Sequence, residues 1–201
     1  MRRAILPMVL VLAACQSKDT GGATRDAAAQ QASAGETPAP PSTAAAEAAA
    51  PLPALDVEGL RLVLDSGATR LLAFGTPRAQ AEEAVGRAFD HPPERTRNEE
   101  CGAGPMDFTA YGPLQLNFQD GGFVGWFLDG AGPSAIDGIG IGSTRAQVRS
   151  SRTLTMIPDS TLGEEFALGE LTEESIGGFF DGPGAQAKVT QLFAGINCFF
   201  R

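Results

Sequence analysis

The chain has 201 residues, room for one domain or two, with 43% hydrophobic residues, 25 glycines and 14 prolines. That composition suits a turn-rich fold of short strands better than a helical bundle. The formal charge is −9, and loss of Arg2 and Arg3 with a leader would leave 13 basic against 24 acidic residues, a net of −11. Such an excess repels nucleic acid and anionic lipid head groups, and no basic patch offsets it, so nucleic-acid binding is excluded.

The first residues read as an export signal. Arg2 and Arg3 form a short positive region, and Ala4 to Ala14 is an apolar run of about 11 residues, where a membrane span needs ~20. The run ends in Leu12-Ala13-Ala14-Cys15. This resembles the bacterial lipobox, in which small residues fit the narrow peptidase cleft ahead of a cysteine. The resemblance implies cleavage after residue 14, with diacylglyceryl on the Cys15 thiol and acyl on its new amino terminus. Two or three acyl chains at ~0.8 kcal/mol per buried methylene anchor stably. Gln16 stands where aspartate would favour inner-membrane retention, so the expected place is the outer membrane, facing the periplasm.

Residues 15–53 are rich in Ala, Thr, Ser, Gly, Pro and Gln, with Leu52 their only Leu and no Val, Ile, Phe, Trp or Tyr. Such a stretch cannot bury enough apolar surface to offset ordering and reads as a disordered tether. A coil of its length spans roughly 35 Å. The globular part is expected over 54–201.

Two segments within it match at an offset of 67, Leu72-Ala-Phe-Gly-Thr-Pro-Arg-Ala-Gln80 and Ile139-Gly-Ile-Gly-Ser-Thr-Arg-Ala-Gln147. Each reads as a short strand, a glycine, a hydroxyl cap (Thr76 or Ser143) and a helix start, with Pro77 at the first helical position of the former. Antiparallel strands are expected after each helix. The first set is 107–111, 114–118 and 123–128, with a hairpin turn at Gln119-Asp-Gly-Gly122; the second is 153–157, 165–168, 177–180 and 188–194. The expected class is therefore α+β, with two related helix plus antiparallel β-meander units, about 54–130 and 131–201.

The glycine–hydroxyl–helix start followed by strands resembles small outer-membrane assembly lipoproteins of the SmpA/OmlA type. A tandem pair resembles the secreted β-lactamase-inhibitor-protein fold. The first family carries one such unit and a glycine-proline step after its helix, where this chain has Phe89-Asp-His-Pro-Pro93. These resemblances imply a fold and not a function.

Few residues offer chemistry. Cys101 and Cys198 are an even pair in an exported chain, so a disulfide is expected rather than a reactive thiol. His91, the only histidine, could act only in a dyad with a free, nearby Cys101, and one histidine does not make a zinc site of the usual kind. Gly138-Ile-Gly-Ile-Gly142 lacks the dinucleotide-loop spacing. The pairs Glu99-Glu100, Glu164-Glu165 and Glu173-Glu174 read as solvated edges, and no calcium loop is present. No cofactor and no metal are expected. Strand alternation puts Phe123, Gly125 and Phe127 on one face and Val124, Trp126 and Leu128 on the other. Trp126, Tyr111, Phe123 and Phe127 are thus candidate partner-binding residues, with Trp126 as core the competing reading.

The expectation is a non-enzymatic envelope lipoprotein, held on the membrane by its lipid, that binds an envelope protein in assembly or maintenance. The alternatives are an inhibitor or small-ligand-binding module and a small hydrolase or redox enzyme.

Overall fold

The structure, a computed structural model, describes residues 50–199 except Leu171 and Glu173. The expected leader, Cys15 and nearly all of the expected tether lie outside these residues. None of the helices described is long and apolar enough to cross a membrane.

Three strands open the described chain, β1 (Leu52–Asp56), β2 (Gly59–Val63) and β3 (Thr69–Ala73), followed by α1 (Arg78–Gly86). Four more follow, β4 (Glu94–Asn98), β5 (Met106–Tyr111), β6 (Leu114–Gln119) and β7 (Gly122–Leu128). Then come α2 (Arg145–Ser151), β8 (Leu154–Met156), β9 (Glu164–Leu168), β10 (Ile176–Phe180) and β11 (Val189–Gly195). The first described strand begins at Leu52, two residues inside the expected tether.

The expected α+β class with two helix-plus-meander units is incorrect. The protein is mostly β, with one three-stranded sheet ordered β1-β2-β3 and one continuous eight-stranded sheet ordered β4-β5-β6-β7-β11-β10-β9-β8. Every pairing is antiparallel. The two meanders are not separate bodies, because β7 and β11 pair along Leu128↔Leu192 to Gly125↔Gly195. The helices have only 9 and 7 residues, below the ~12–15 at which an isolated helix is even marginal, so they form by packing on the sheets. The strand expected at Ile139-Gly-Ile is absent; its neighbour Ala135 makes only an isolated bridge to Leu55.

One face of the large sheet carries the main core. Leu114, Leu116, Phe118, Trp126, Leu128, Leu192 and Phe180 pack there against Leu55, Leu60, Leu62 and Leu72 of the small sheet, Ala81, Ala84 and Val85 of α1, and Val148 of α2. Alternation in β2 explains its part: Leu60 and Leu62 are buried while Arg61 turns out to Asp56.

A β-bulge corrects the expected aromatic face. Asn117 pairs with Gly125 but Phe118 pairs with Phe123, which leaves Val124 as an extra residue. The extra residue resets the alternation, so Phe123 shares the core face with Trp126 and Leu128. Trp126 and Phe123 are fully buried and Tyr111 is 1% exposed, so these three cannot form an exposed partner patch. Trp126 Nε1–H donates to the Asp56 carbonyl at 2.9 Å and Tyr111 O–H to the Glu82 carbonyl at 2.9 Å, which satisfies both buried polar atoms. Of the four candidates, only Phe127 stays half-buried on the other face.

Helix capping also differs from expectation. The cap of α2 is Thr144, whose Oγ1 accepts from Gln147 N–H at 3.2 Å while Gln147 Oε1 accepts from Thr144 N–H at 2.7 Å. This Thr-x-x-Gln box lies one residue beyond Ser143. In α1 the capping position is held by Pro77, and Thr76 Oγ1 instead donates to the Ala73 carbonyl.

Candidate functional site

The face of the large sheet opposite the helices is the most distinctive surface. Phe127 on β7 and Phe193 on β11 are cross-strand partners there, and both are half-buried. Phe179 on β10 lies 5.6 Å from the Phe193 ring. After β11 the chain turns back as a strap, Ile196 to Phe199, across this face. The Phe199 ring stands edge-on to Phe193 at 4.7 Å, to Phe179 at 6.0 Å and to Phe127 at 6.1 Å.

The strap is locked by close approach and by polar bonds. A Cβ on Gly125 would sit 2.1 Å from the Ile196 carbonyl oxygen, so only glycine lets the strap pass. Gly195 turns the chain with φ +68, and a Cβ there would sit 2.3 Å from the Val124 carbonyl oxygen. The fully buried Asn117 donates through Nδ2 to the Ile196 carbonyl at 3.0 Å and to Asn197 Oδ1 at 2.8 Å. Cys198 is disulfide-bonded to Cys101, with Cα atoms 5.0 Å apart, and this bridge packs with Met106 and Phe108 in a second small core.

Two hollows flank the strap. One of about 430 Å³ includes Phe108, Ala110, Gln115, Phe127 and Phe199. The other, about 310 Å³, includes Glu165, Thr172, Ser175, Gly177 and Phe193. Both are partly open to solvent.

The chemistry-bearing residues do not converge. Cys101 is oxidised in the disulfide, so it offers His91 no thiol for a dyad; His91 is exposed, its ring edge-on to Phe89 at 5.9 Å. Among the described residues, no group of three or more His, Cys, Asp and Glu side chains is placed to hold a metal. Glu99 is exposed and bonds Arg97 at 2.5 Å, a contact that lowers its pKa. Glu100 is an exposed loop residue whose N–H donates to Asn98 Oδ1. Glu164 pairs with Arg145, and the buried Glu165 accepts from Ser160 O–H at 2.5 Å. Glu173 lies outside the described residues.

Sequence reading missed one polar network, on the α1 side of the sheet. Glu82 accepts from Arg95 at 2.7 Å, from Arg78 at 2.8 Å and from Thr109 at 2.7 Å. The Arg95 bond above all, with Arg78 and Thr109 behind it, holds the Glu82 carboxyl down at about 2, against burial that pushes it up. Burial raises the pKa of the neighbouring Tyr111 phenol. Each charge in this network is matched, so it works as a structural clamp between α1, β4 and β5. Its one local trace is the Arg95-Thr-Arg97 spacing on the edge strand β4, which does not by itself point to Glu82.

Compared with protein-family models, curated proteins and solved structures, the chain matches none.

Proposed function

We propose that this chain is a lipid-anchored envelope protein whose folded domain binds another envelope protein without catalysing a reaction. The lipobox-like Leu12-Ala-Ala-Cys15, the apolar run before it and the tether composition after it support the anchor. One observation carries the binding role: the Phe127–Phe193 pair on the sheet face that the helices and the small sheet leave open. Half-buried aromatics beside hollows supply contact area at little entropic cost, as interface anchors do. The acidic excess sets the partner's surface charge as neutral to basic.

The test is a crosslinking pull-down from native envelopes with the lipidated protein as bait, beside a Phe127→Ala/Phe193→Ala variant shown to keep its thermal transition. A discrete partner lost in the variant is the expected result. No partner above background, or one retained equally by the variant, overturns the assignment.

A further inference from the structure

The small sheet ends in an open edge. β3 pairs with β2 on one side and with no described strand on the other. Which of its backbone groups face outwards follows from the alternation of an antiparallel ladder. Leu64 N–H donates to the Ala68 carbonyl and Phe74 N–H to the Glu58 carbonyl, so Arg70 and Leu72 between them bond to β2. Thr69, Leu71 and Ala73 therefore turn their N–H groups away from β2, and Thr69 and Leu71 their carbonyls too. The Ala73 carbonyl is taken by the Thr76 N–H and hydroxyl.

The other sheet edges are guarded against a further strand. On β1, Pro53 has no N–H and Leu55 N–H donates to the Ser134 carbonyl at 2.9 Å. β4 carries the exposed charges of Glu94, Arg95 and Arg97, and β8 has only 3 residues. β3 has 5 residues, no proline and the half-buried Leu71 at its centre.

Between β3 and α1 lies a hollow of about 370 Å³ that includes Arg70, Leu72, Gln80, Glu83 and Arg87. Glu83 and Arg87 pair with each other. Arg70 is exposed and forms no salt bridge among the described residues. Towards an added antiparallel strand, Arg70 occupies a non-hydrogen-bonded position, where facing side chains come closest, with Cα atoms about 4.5 Å apart.

We propose that the outer edge of β3 takes up an extended peptide strand of a partner protein, with a carboxylate side chain opposite Arg70. The backbone row supplies the attachment, and the Arg70–carboxylate pair selects the strand. A second copy of this chain does not supply that pair. Registered two-fold about Leu71, it sets Arg70 against Leu72. Registered about Arg70, it sets the two arginines against each other, and a charge of −9 on each chain adds repulsion. This edge belongs to the other sheet from Phe127 and Phe193, so either surface can fail its test without the other.

The probes are two short synthetic peptides of alternating Val and Thr, identical except for a central Glu or Lys. Hydrogen-exchange mass spectrometry of the purified full chain reads their binding, because outward edge amides exchange fast until a strand covers them. The expected result is protection of residues 69–73 by the Glu peptide, at about fivefold lower concentration than by the Lys peptide. Leu71→Pro removes one outward N–H and spares the bonds to β2, so it should abolish the protection. Arg70→Glu keeps every backbone group and should reverse the preference between the peptides. No protection by either peptide, or protection that survives Leu71→Pro, overturns the edge as a docking site. Equal protection by both peptides overturns the carboxylate as its ligand. Protection that rises with protein concentration in the absence of peptide makes a second copy the occupant and overturns the proposal.

Discussion

Arg78 and Arg145 make the same contacts at matching places of the large sheet. Arg78 lies over the Phe118 ring at 5.1 Å and reaches Asp107, while Arg145 lies over the Phe180 ring at 4.5 Å and reaches Glu164. Their backbones dock alike. Arg78 N–H donates to the Gly121 carbonyl and Gly75 N–H to that of Phe123; Arg145 N–H donates to the Ala187 carbonyl and Gly142 N–H to that of Val189, all at 2.7–2.8 Å. The Arg-Ala-Gln match in the sequence thus marks where each short helix is pinned to a strand.

The two arginines differ in burial, which sets the size of their effects. Arg145 has 12% side-chain exposure and also donates to the Gly182 carbonyl at 3.0 Å; Arg78 has 26%. Arg145→Ala leaves a desolvated carbonyl and an uncovered ring, and should cost about 2 kcal/mol. Arg78→Ala should cost about 1 kcal/mol, because Glu82 keeps Arg95 and Thr109. Urea unfolding of both variants reads the order, and an equal or reversed order would contradict this account of the pinning.

Glu82 makes the fold acid-sensitive in a defined window. Its folded pKa of about 2 lies below the ordinary glutamate value of 4.5. A carboxylate with a depressed folded pKa contributes stability that is fully present above 4.5 and is lost as pH falls towards 2. Thermal unfolding should therefore show stability falling across that range in the wild type. Glu82→Gln should be less stable at neutral pH and flatter between pH 4.5 and 2; an unchanged slope would remove Glu82 from the acid transition.

The disulfide closes a separation of 97 residues. On the chain-entropy account its replacement by two alanines should cost up to about 4–5 kcal/mol. A thiol assay on the folded protein, purified without reductant, should find neither Cys101 nor Cys198 titratable until denaturant and reductant are added. A reactive thiol in the native protein would reopen the redox alternative.

Much of the large sheet was legible in the sequence and its assembly was not. The turn at Asp120-Gly121, both at positive φ, and the apolar runs on either side placed β6 and β7 within a residue or two. The β1–β2 hairpin is hidden in the sequence because Leu52 and Pro53 look like the end of the tether. The class is not legible because two short helix starts say nothing about edge pairing, and β7↔β11 is a contact between residues more than sixty positions apart. The candidate site turned on Val124: a bulge adds no unusual residue to the sequence, yet it moves Phe123 onto the core face and leaves Phe127 alone of the four on the open one. The polar clamp on Glu82 joins residues 78 to 109, and no local pattern brings them together.

Trp126 now gives a direct check on the bulge. Fully buried, with its indole N–H on the Asp56 carbonyl, it should emit at short wavelength and resist iodide quenching. As the chain's single tryptophan it reports unambiguously. Trp126→Ala should cost about 3–5 kcal/mol as a core cavity; red-shifted, quenchable emission would return Trp126 to the surface and undo the face assignment.

The strap gives the sharpest contrast between two glycines. Gly125→Ala puts a Cβ 2.1 Å from the Ile196 carbonyl oxygen, whereas Gly182→Ala meets nothing within 4 Å and carries no positive φ. The first must push the strap off β7, break the Asn117 bonds to Ile196 and Asn197, and separate Phe199 from the rings beneath it. It should cost about 2 kcal/mol or more, while Gly182→Ala should change stability by no more than about 0.5 kcal/mol. Because Cys198 keeps the strap tethered to Cys101, the displaced segment stays nearby, so Gly125→Ala should also raise amide exchange at Phe193 and Ile196 without global unfolding. Protection unchanged at those amides would show that the strap does not bear on the open face.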